Sequence, residues 1–527
     1  MKRIEIYDTT LRDGAQGEGV SFSGPGKIKV ARLLDEFGVD YIEGGYAASN
    51  PKDMEFFHEL ARHPLQHARV AAFGSTRRAN IQASADGNLQ ALIQARTSVV
   101  TIFGKSWQLH VRDVLKTTDE ENVQMIGDSV RFLKEQGKEV VYDAEHFFDG
   151  YKDNPAYAVS TLIAANEAGA DRIVLCDTNG GTMYYELADI TEELVRRFGG
   201  KVGIHPHNDS ELGVANAMAA IRAGAMHVQG TINGFGERCG NANLCSIIPN
   251  LAEKMGYEVL RPGSLKKLKS VALFVYEMAN VRPNPKMPYV GQSAFAHKAG
   301  MHVDGVQKNP RSFEHVDPAS VGNERRVLIS ELSGTSNIFL KAVEMGLQLD
   351  KKSPEVKAIL SELELLEKQG YEFEAAEASF KLLIQKVLKA HKPFVTLEGF
   401  RAIVEKRSKD EACISEATVK VLVHGEQVHT VGEGDGPVDA LNAALRKALE
   451  TSYPAIKDVN LVDYHVRILD PEEATAAKTR VLIESTDGHD SWGTVGVSEN
   501  IIEASWEALV DSVEYKLFLD EQKKNAS

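Results

Sequence analysis

Val202-Gly203-Ile204-His205-Pro206-His207-Asn208-Asp209 is the stretch around which the chain is read. In an extended strand, side chains two apart lie on the same side, about 6.5 Å apart along the chain, so His205 and His207 face together and Pro206 faces away. Proline gives no donor to a sheet ladder and is confined to edges, bulges and strand ends, so the strand is expected to finish here with both imidazoles at its rim. Taken alone, a His-x-His pair is more often two solvated polar residues. It becomes a metal site when other strands bring acidic ligands to the same place.

Working outward, short β-branched or apolar runs recur at Arg3–Asp8, Asp40–Gly45, Arg69–Gly74, Ser98–Phe103, Glu139–Ala144, Arg172–Asp177, Lys201–His205 and His227–Ile232. Between them stand helix-spaced apolar patterns such as Ile28–Phe37, Ala156–Ala168 and Leu212–Ala223, followed by Gly38, Gly169 and Gly224, where left-handed caps are needed. Strand and helix alternate through eight units, which predicts parallel pairing and an α/β (β/α)8 TIM barrel, a fold of about 250 residues, rather than an open sheet.

In such a barrel the strand ends converge on one rim. Asp8, Arg12 and Asp13 follow the first strand, Glu43 closes the second, and Ser75 and Thr76 close the third. Glu145 and His146 follow the fifth, Asp177 and Thr178 the sixth, and Asn233, Glu237 and Asn241 the eighth. Any one of these residues is plausible as a helix cap, and for Thr178 or Asn233 alone capping is the better reading. Two histidines with several carboxylates on one rim instead point to a divalent-metal site.

Composition narrows the function class. Of the 527 residues, 43% are hydrophobic and 26% charged, as in a soluble globular protein of two to four domains. A formal net charge of −15 argues against a nucleic-acid or anionic-membrane binder, although a local basic pocket remains open. Cys176, Cys239, Cys245 and Cys413 show no Cys-x-x-Cys spacing, so neither a zinc knuckle nor a disulfide framework is indicated, and a reducing compartment fits. Met1-Lys2-Arg3-Ile4-Glu5 meets a charge before any apolar run, and no run approaches eighteen apolar residues. The expectation is a cytoplasmic protein without a membrane span.

Three motifs carry a family resemblance: Asp8-Thr9-Thr10-Leu11-Arg12-Asp13-Gly14, His205-Pro206-His207-Asn208-Asp209, and Gly234-Phe235-Gly236-Glu237-Arg238-Cys239-Gly240-Asn241. In this order, on the first, seventh and eighth strands, they resemble the acyl-CoA-condensing barrel enzymes, the 2-isopropylmalate, homocitrate and citramalate synthases. Glu43-Gly44-Gly45 followed by Ser49-Asn50-Pro51-Lys52-Asp53 is more similar to the citramalate branch, although Tyr46-Ala47-Ala48 departs from its form. The resemblance implies an acyltransferase that condenses acetyl-CoA with a 2-oxo acid, pyruvate in the citramalate branch. Its alternatives are a longer oxo acid, giving 2-isopropylmalate or homocitrate, and a metal-dependent carbon–carbon lyase on the same barrel.

The resemblance also assigns roles. Asp13, His205 and His207 are the expected ligands of Mg²⁺, Mn²⁺ or Zn²⁺, with Asn241 the fourth by match to the family. Arg12, beside Asp13 and always charged, suits a developing alkoxide; Asp13, Arg12 and Thr178 face the substrate. Glu145 is the carboxylate for proton traffic. His302, in the segment Ser293-Ala294-Phe295-Ala296-His297-Lys298-Ala299-Gly300-Met301-His302-Val303-Asp304-Gly305, would otherwise be a polar loop residue, but it matches a catalytic histidine delivered to a neighbouring subunit's barrel. The base is therefore either His302 oriented by Glu145 or Glu145 acting through water. Phe313 stands where relatives have a tyrosine, and Cys239 is read as a small packing residue rather than the cysteine of related lyases.

The expected domains are the barrel over 1–280, linking subdomains over 281–390, and a C-terminal domain over 391–527. Arg261–Asn280 reads as helical, Arg282–Pro288 as a proline-rich connector, and Ser353–Lys368 and Glu372–Lys389 as amphipathic helices. The last portion repeats itself at a constant offset of 64 residues: Thr430-Val431-Gly432 recurs as Thr494-Val495-Gly496, and Ala440, Ala444 and Leu445 recur as Ala504, Ala508 and Leu509. Each copy has a β-rich run (Thr418–His424, Thr479–Ser485) and then a helix (Val438–Glu450, Ile501–Tyr515). The repeat by itself fits a purely dimerising module. By resemblance, it belongs to a homodimer regulated by its end-product amino acid, isoleucine in the citramalate branch and leucine in the isopropylmalate branch. The glycine-containing Gly432-Glu433-Gly434-Asp435-Gly436 reads as a turn whose backbone N–H groups receive the effector's carboxylate.

Overall fold

The computed structural model describes residues 2–49, 51–328, 353–469 and 477–526. Asn50 of the second-strand motif and residues 329–352 of the expected linker lie outside the described residues. Two compact units result, Met1–Phe295 with His315–Arg325, and Ala296–Glu314 with Arg326–Ser527.

The first unit is a closed barrel of eight parallel strands: β1 (Glu5–Asp8), β2 (Tyr41–Tyr46), β3 (Arg69–Ser75), β4 (Val99–Lys105), β5 (Glu139–Glu145), β6 (Arg172–Asp177), β7 (Val202–Pro206) and β8 (His227–Gly230). They pair in sequence order, and β1 closes on β8 with Glu5 opposite His227 and Asp8 opposite Gly230. All eight expected strands are present, and β7 stops at Pro206 as the proline requires. Helix signals hold locally: Ser23 accepts from Gly26 N at the start of the helix Gly24–Phe37, and Gly38 ends it at φ 98°.

Alternate strand positions point inward, and Tyr7, Tyr41, Ala71, Val99, Val141, Val174 and Cys176 fill the barrel's centre. Below them Glu5 accepts from Arg172 at 2.6 Å and pairs with the buried His227 at 3.2 Å, closing the N-terminal end with paired charge. The opposite end is left for chemistry. Apolar faces of the outer helices pack on the strands as one continuous core.

In the second unit, β9 (Ala296–His297) pairs in parallel with β10 (Arg326–Val327). The segment expected as a glycine-punctuated loop is instead β9 and a helix, Gly300–Lys308, which carries His302. Helices Pro354–Lys368 and Glu377–Val387 follow, the second shorter at both ends than the pattern implied.

The repeat is a three-strand-and-helix unit built twice. β11 (Thr396–Glu405), β12 (Ile414–Val423) and β13 (Glu426–Gly434) form one antiparallel sheet backed by the helix Pro437–Leu449. β14 (Asn460–Ile468), β15 (Thr479–Thr486) and β16 (Ser491–Ser498) form the other, backed by the helix Ile501–Ala526, which runs past the expected Tyr515. The first strand of each copy was not legible from the motif matches, yet Thr396 and Asn460 keep the same offset. Thr430 Oγ1 donates to Ala444 O at 2.8 Å and Thr494 Oγ1 to Ala508 O at 2.8 Å, one bond repeated.

That packing corrects the reading of the 430s. Gly432 and Gly434 stand inside β13, not in a turn, and their hydrogens are what let the helix approach. A Cβ on Gly432 would meet Ala444 N at 2.4 Å, and one on Gly496 would meet Ala504 O at 2.0 Å. No backbone cradle for a carboxylate is formed by these two residues. Cys239 also departs from expectation: it is exposed, whereas Cys245 and Cys176 are buried, and all four thiols are free. No described helix is long and apolar enough to cross a membrane.

Candidate metal centre at the barrel rim

After β1 the chain turns sharply, with Thr9 O accepting from the backbone N–H of Arg12, Asp13 and Gly14, and this turn delivers Arg12 and Asp13 to the rim. β7 delivers His205 and His207. The loop after β8 folds back beside the end of β7, with Asn208 N donating to Gly240 O and Ala242 N to Pro206 O, so His207 and Asn241 sit opposite each other. Gly236 makes room there, since a Cβ on it would stand 1.9 Å from Asn241 Oδ1.

These turns bring the four sequence-named ligands together. Asp13, His205 and His207 are buried, and their ligand atoms lie within 4.8 Å of one another. Asp13 Oδ2 is 3.1 Å from His205 Nε2, 3.9 Å from His207 Nε2 and 2.7 Å from Asn241 Nδ2. The two imidazole Nε2 atoms face each other at 3.3 Å. Neighbouring donors around an ion bound at about 2.1 Å stand about 3–3.5 Å apart, which is this spacing.

Electrostatics sharpen the point. Burial, opposed by Arg12 and outweighed by it together with the two histidines, leaves the Asp13 carboxyl well below the usual carboxylate range. Burial and the neighbouring His205 push His207 down to about 3, so its ring is neutral and offers a lone pair. Burial lowers His205, but contact with Asp13 outweighs it and leaves that ring raised. Asn241 Oδ1 is buried without a hydrogen-bond partner. A half-turn of that amide would aim its oxygen at Asp13, an arrangement that only a cation between them makes favourable. The donor set therefore fits a divalent ion.

The support beneath the ligands was missed by sequence reasoning. His205 Nδ1 is 2.7 Å from Gln229 Oε1, and Gln229 Nε2 donates to Asp143 Oδ1 at 3.1 Å. With Nδ1 donating, the Nε2 lone pair is aimed at the cluster. Burial pushes Asp143 up to about 7. Gln229 and Asp143 are inward positions of β8 and β5, and the alternation along those strands was the available signal.

Arg12 is held from three sides. Its Nε donates to Glu43 at 2.5 Å, its Nη1 lies 3.1 Å from Asp13 Oδ1, and its guanidinium carbon sits 3.7 Å over the Phe73 ring. Glu43, fully buried, also accepts from Tyr7 and Thr9. Glu145 stands at the end of β5, paired with Lys105 from β4. Thr178 Oγ1 accepts from His146 N at 2.8 Å, which leaves its own proton free to donate. Arg238 ties the rim together, donating to Asp209 at 2.7 Å and to Thr178 O at 2.7 Å.

Other rim residues do structural work. Asp8 accepts from Thr10, Asp177 from Thr182, Ser75 from Asn88, and Asn233 donates to Ala272 O. His302 belongs to the second unit, where its ring stacks on Phe313 at 4.4 Å.

Three family models match in order along the chain: HMGL-like over residues 3–275, homocitrate synthase post-HMGL domain-like over 289–370, and LeuA allosteric (dimerisation) domain over 374–517. The chain is 54% identical over 522 residues to an (R)-citramalate synthase of Geobacter sulfurreducens, covering 99% of each. It is 54% identical over 523 residues to that of Aquifex aeolicus, again covering 99% of each. A 2-isopropylmalate synthase of Sulfolobus acidocaldarius is 33% identical over 390 residues, covering 73% of this chain and 97% of its own. Among solved structures, a Bacillus subtilis HMG-CoA lyase matches with a TM-score of 0.46 at 20% identity, covering 53% of this chain and 95% of its own.

Proposed function

We propose, from the premise that this chain belongs to the (R)-citramalate synthase family, that it condenses acetyl-CoA with pyruvate and water to give (R)-citramalate and CoA. The observation that carries this is the 54% identity over 522 residues, spanning 99% of both chains. A longer 2-oxo acid has the weaker support of 33% identity over 390 residues. A carbon–carbon lyase would leave the LeuA-like residues 374–517 without a role.

Asp13, His205, His207 and Asn241 would hold the divalent ion, and Mg²⁺, Mn²⁺ or Zn²⁺ each suit two imidazoles with oxygen donors. When bound, the ion supplies Lewis-acid polarisation of the oxo acid's carbonyl. Arg12, fixed by Glu43, Asp13 and Phe73, presents its remaining donors to the oxygen that becomes an alkoxide, and it needs no reorganisation to do so. Thr178 donates its free hydroxyl proton to the substrate carboxylate.

Glu145, paired with Lys105, serves the removal of a proton from the acetyl methyl group, either through a water or by orienting His302 to take it. The methyl carbon then bonds to C2 of pyruvate, the carbonyl oxygen takes up a proton, and water cleaves the thioester to release CoA. His302 is carried over as the second proton-transfer residue, and substitution is its test. The product of pyruvate and acetyl-CoA, resolved on a chiral column, tests the whole reading: (R)-citramalate is expected, and no product or the (S) isomer overturns it.

We assign the barrel, 1–280, to catalysis, 281–390 to linkage, and 391–527 to regulation within a homodimer. Isoleucine is the proposed effector, acting from the repeat through a coupling of about 1–3 kcal/mol rather than at the metal. The cytoplasm is the proposed compartment.

A further inference from the structure

The second unit contains a cavity of about 710 Å³ between the helices Pro354–Lys368 and Glu377–Val387 on one side and β16 with the helix Ile501–Ala526 on the other. That volume is in the range of sites for small organic ligands. Its apolar wall includes Trp506 and Phe373, and Tyr371 stacks on Phe373 at 6.0 Å.

Four ionisable groups with carboxylate or ammonium charge line it: Glu362, Glu507, Asp511 and Lys386. Lys386 is 3.2 Å from Asp511, which leaves the acidic groups in excess. Glu507 accepts from Tyr371 OH at 2.8 Å and from Val497 N at 3.1 Å, both on Oε2, so Oε1 has no partner among the described residues. Burial raises both Glu507 and Asp511, a cost that a bound cation would relieve.

The internal repeat separates what the fold needs from what this cavity adds. Ala504, Ala508 and Leu509, which face the sheet, equal Ala440, Ala444 and Leu445 of the first copy. The cavity positions Trp506, Glu507, Val510 and Asp511 correspond to Asn442, Ala443, Arg446 and Lys447. Packing positions are kept, while a basic face has become an acidic and aromatic one. Tyr371 and Lys386 account for one oxygen each of Glu507 and Asp511, and Glu507 Oε1 is left for something else, while the Trp506 ring packs on Phe400 at 5.5 Å and also lines the cavity.

We propose that this cavity binds a small organic cation, an ammonium group on an aromatic or branched apolar body, with Glu507 receiving the ammonium and Trp506 the body. The excess of acid favours a simple amine over a zwitterion, whose own carboxylate would meet Glu362 and Asp511. None of the lining residues belongs to the metal centre, and the test of this site does not depend on turnover.

Full-length protein is titrated by calorimetry and tryptophan fluorescence with phenethylamine, phenylalanine and hydrocinnamate. Phenethylamine is expected to saturate one site per chain and perturb the emission, with phenylalanine weaker and hydrocinnamate not bound. Glu507→Gln should weaken phenethylamine at least tenfold, and Trp506→Phe should remove the emission change. Leu383→Trp, which puts an indole into the cavity, should abolish binding, with parent-like circular dichroism and a single cooperative thermal transition as the check that each variant folds. Absence of amine binding at millimolar concentration overturns the proposal, as does binding indifferent to Glu507→Gln and Leu383→Trp. Phenylalanine or hydrocinnamate binding as tightly as the amine overturns the cation assignment.

Discussion

Gln229 Oε1 lies 2.7 Å from His205 Nδ1, and this bond, made inside the barrel, fixes which nitrogen of His205 faces Asp13. The metal centre therefore depends on a residue that touches no substrate. Gln229→Met keeps the volume and loses the acceptor, so metal affinity should fall about 10–100-fold while the barrel stays folded. Metal-content titration checks it; unchanged affinity would show that the tautomer is fixed from elsewhere.

Arg12→Lys keeps the charge and loses the planar fork that reaches Glu43 and Asp13 together. Turnover should fall by about a hundredfold or more, with a smaller change in metal affinity. Steady-state kinetics beside metal analysis separates the two. An unchanged kcat would assign alkoxide stabilisation to the ion alone.

Asp13→Ala and His207→Ala each remove one donor from a cluster at the open end of the barrel, so both should lose bound metal and turnover while circular dichroism stays that of the parent. Parent-like metal content in either variant would strike that residue from the ligand set.

Gly496→Ala places a methyl group 2.0 Å from Ala504 O and should force β16 from its helix. Overpacking of this kind costs about 1–3 kcal/mol, and Gly432→Ala should cost a similar amount because the contact repeats. Thermal unfolding of the two variants tests the pseudo-symmetry. A large loss at one site and none at the other would contradict it.

Isoleucine should lower turnover without displacing metal, and leucine should be the poorer inhibitor. Inhibition that saturating pyruvate relieves fully would move the effector to the catalytic rim. Preference for leucine would favour the longer oxo acid.

The barrel was legible because short apolar runs alternating with helix-spaced patterns are local signals, and Gly38, Gly169 and Gly224, which follow three of the helices, all take positive φ. The ligands were legible because they lie at strand ends in motifs. Gln229 and Asp143 were not, since an inward polar residue in a short strand gives no motif and gains its meaning from what lies across the barrel. Gly432 misled for a related reason: a glycine-rich string looks like a turn, and only the helix packed against β13 shows that missing side chains, not a bend, are required. β11 and β14 leave no mark in the repeated packing residues because these strands are largely exposed.

The central claim is tested most directly by thiol release from acetyl-CoA across a panel of 2-oxo acids, with the parent chain and Asp13→Ala side by side. Release should be fastest with pyruvate, slight with 2-oxoisovalerate and 2-oxoglutarate, and absent in Asp13→Ala. Release confined to 2-oxoisovalerate, or equal in the two proteins, would contradict a citramalate synthase built on this metal centre.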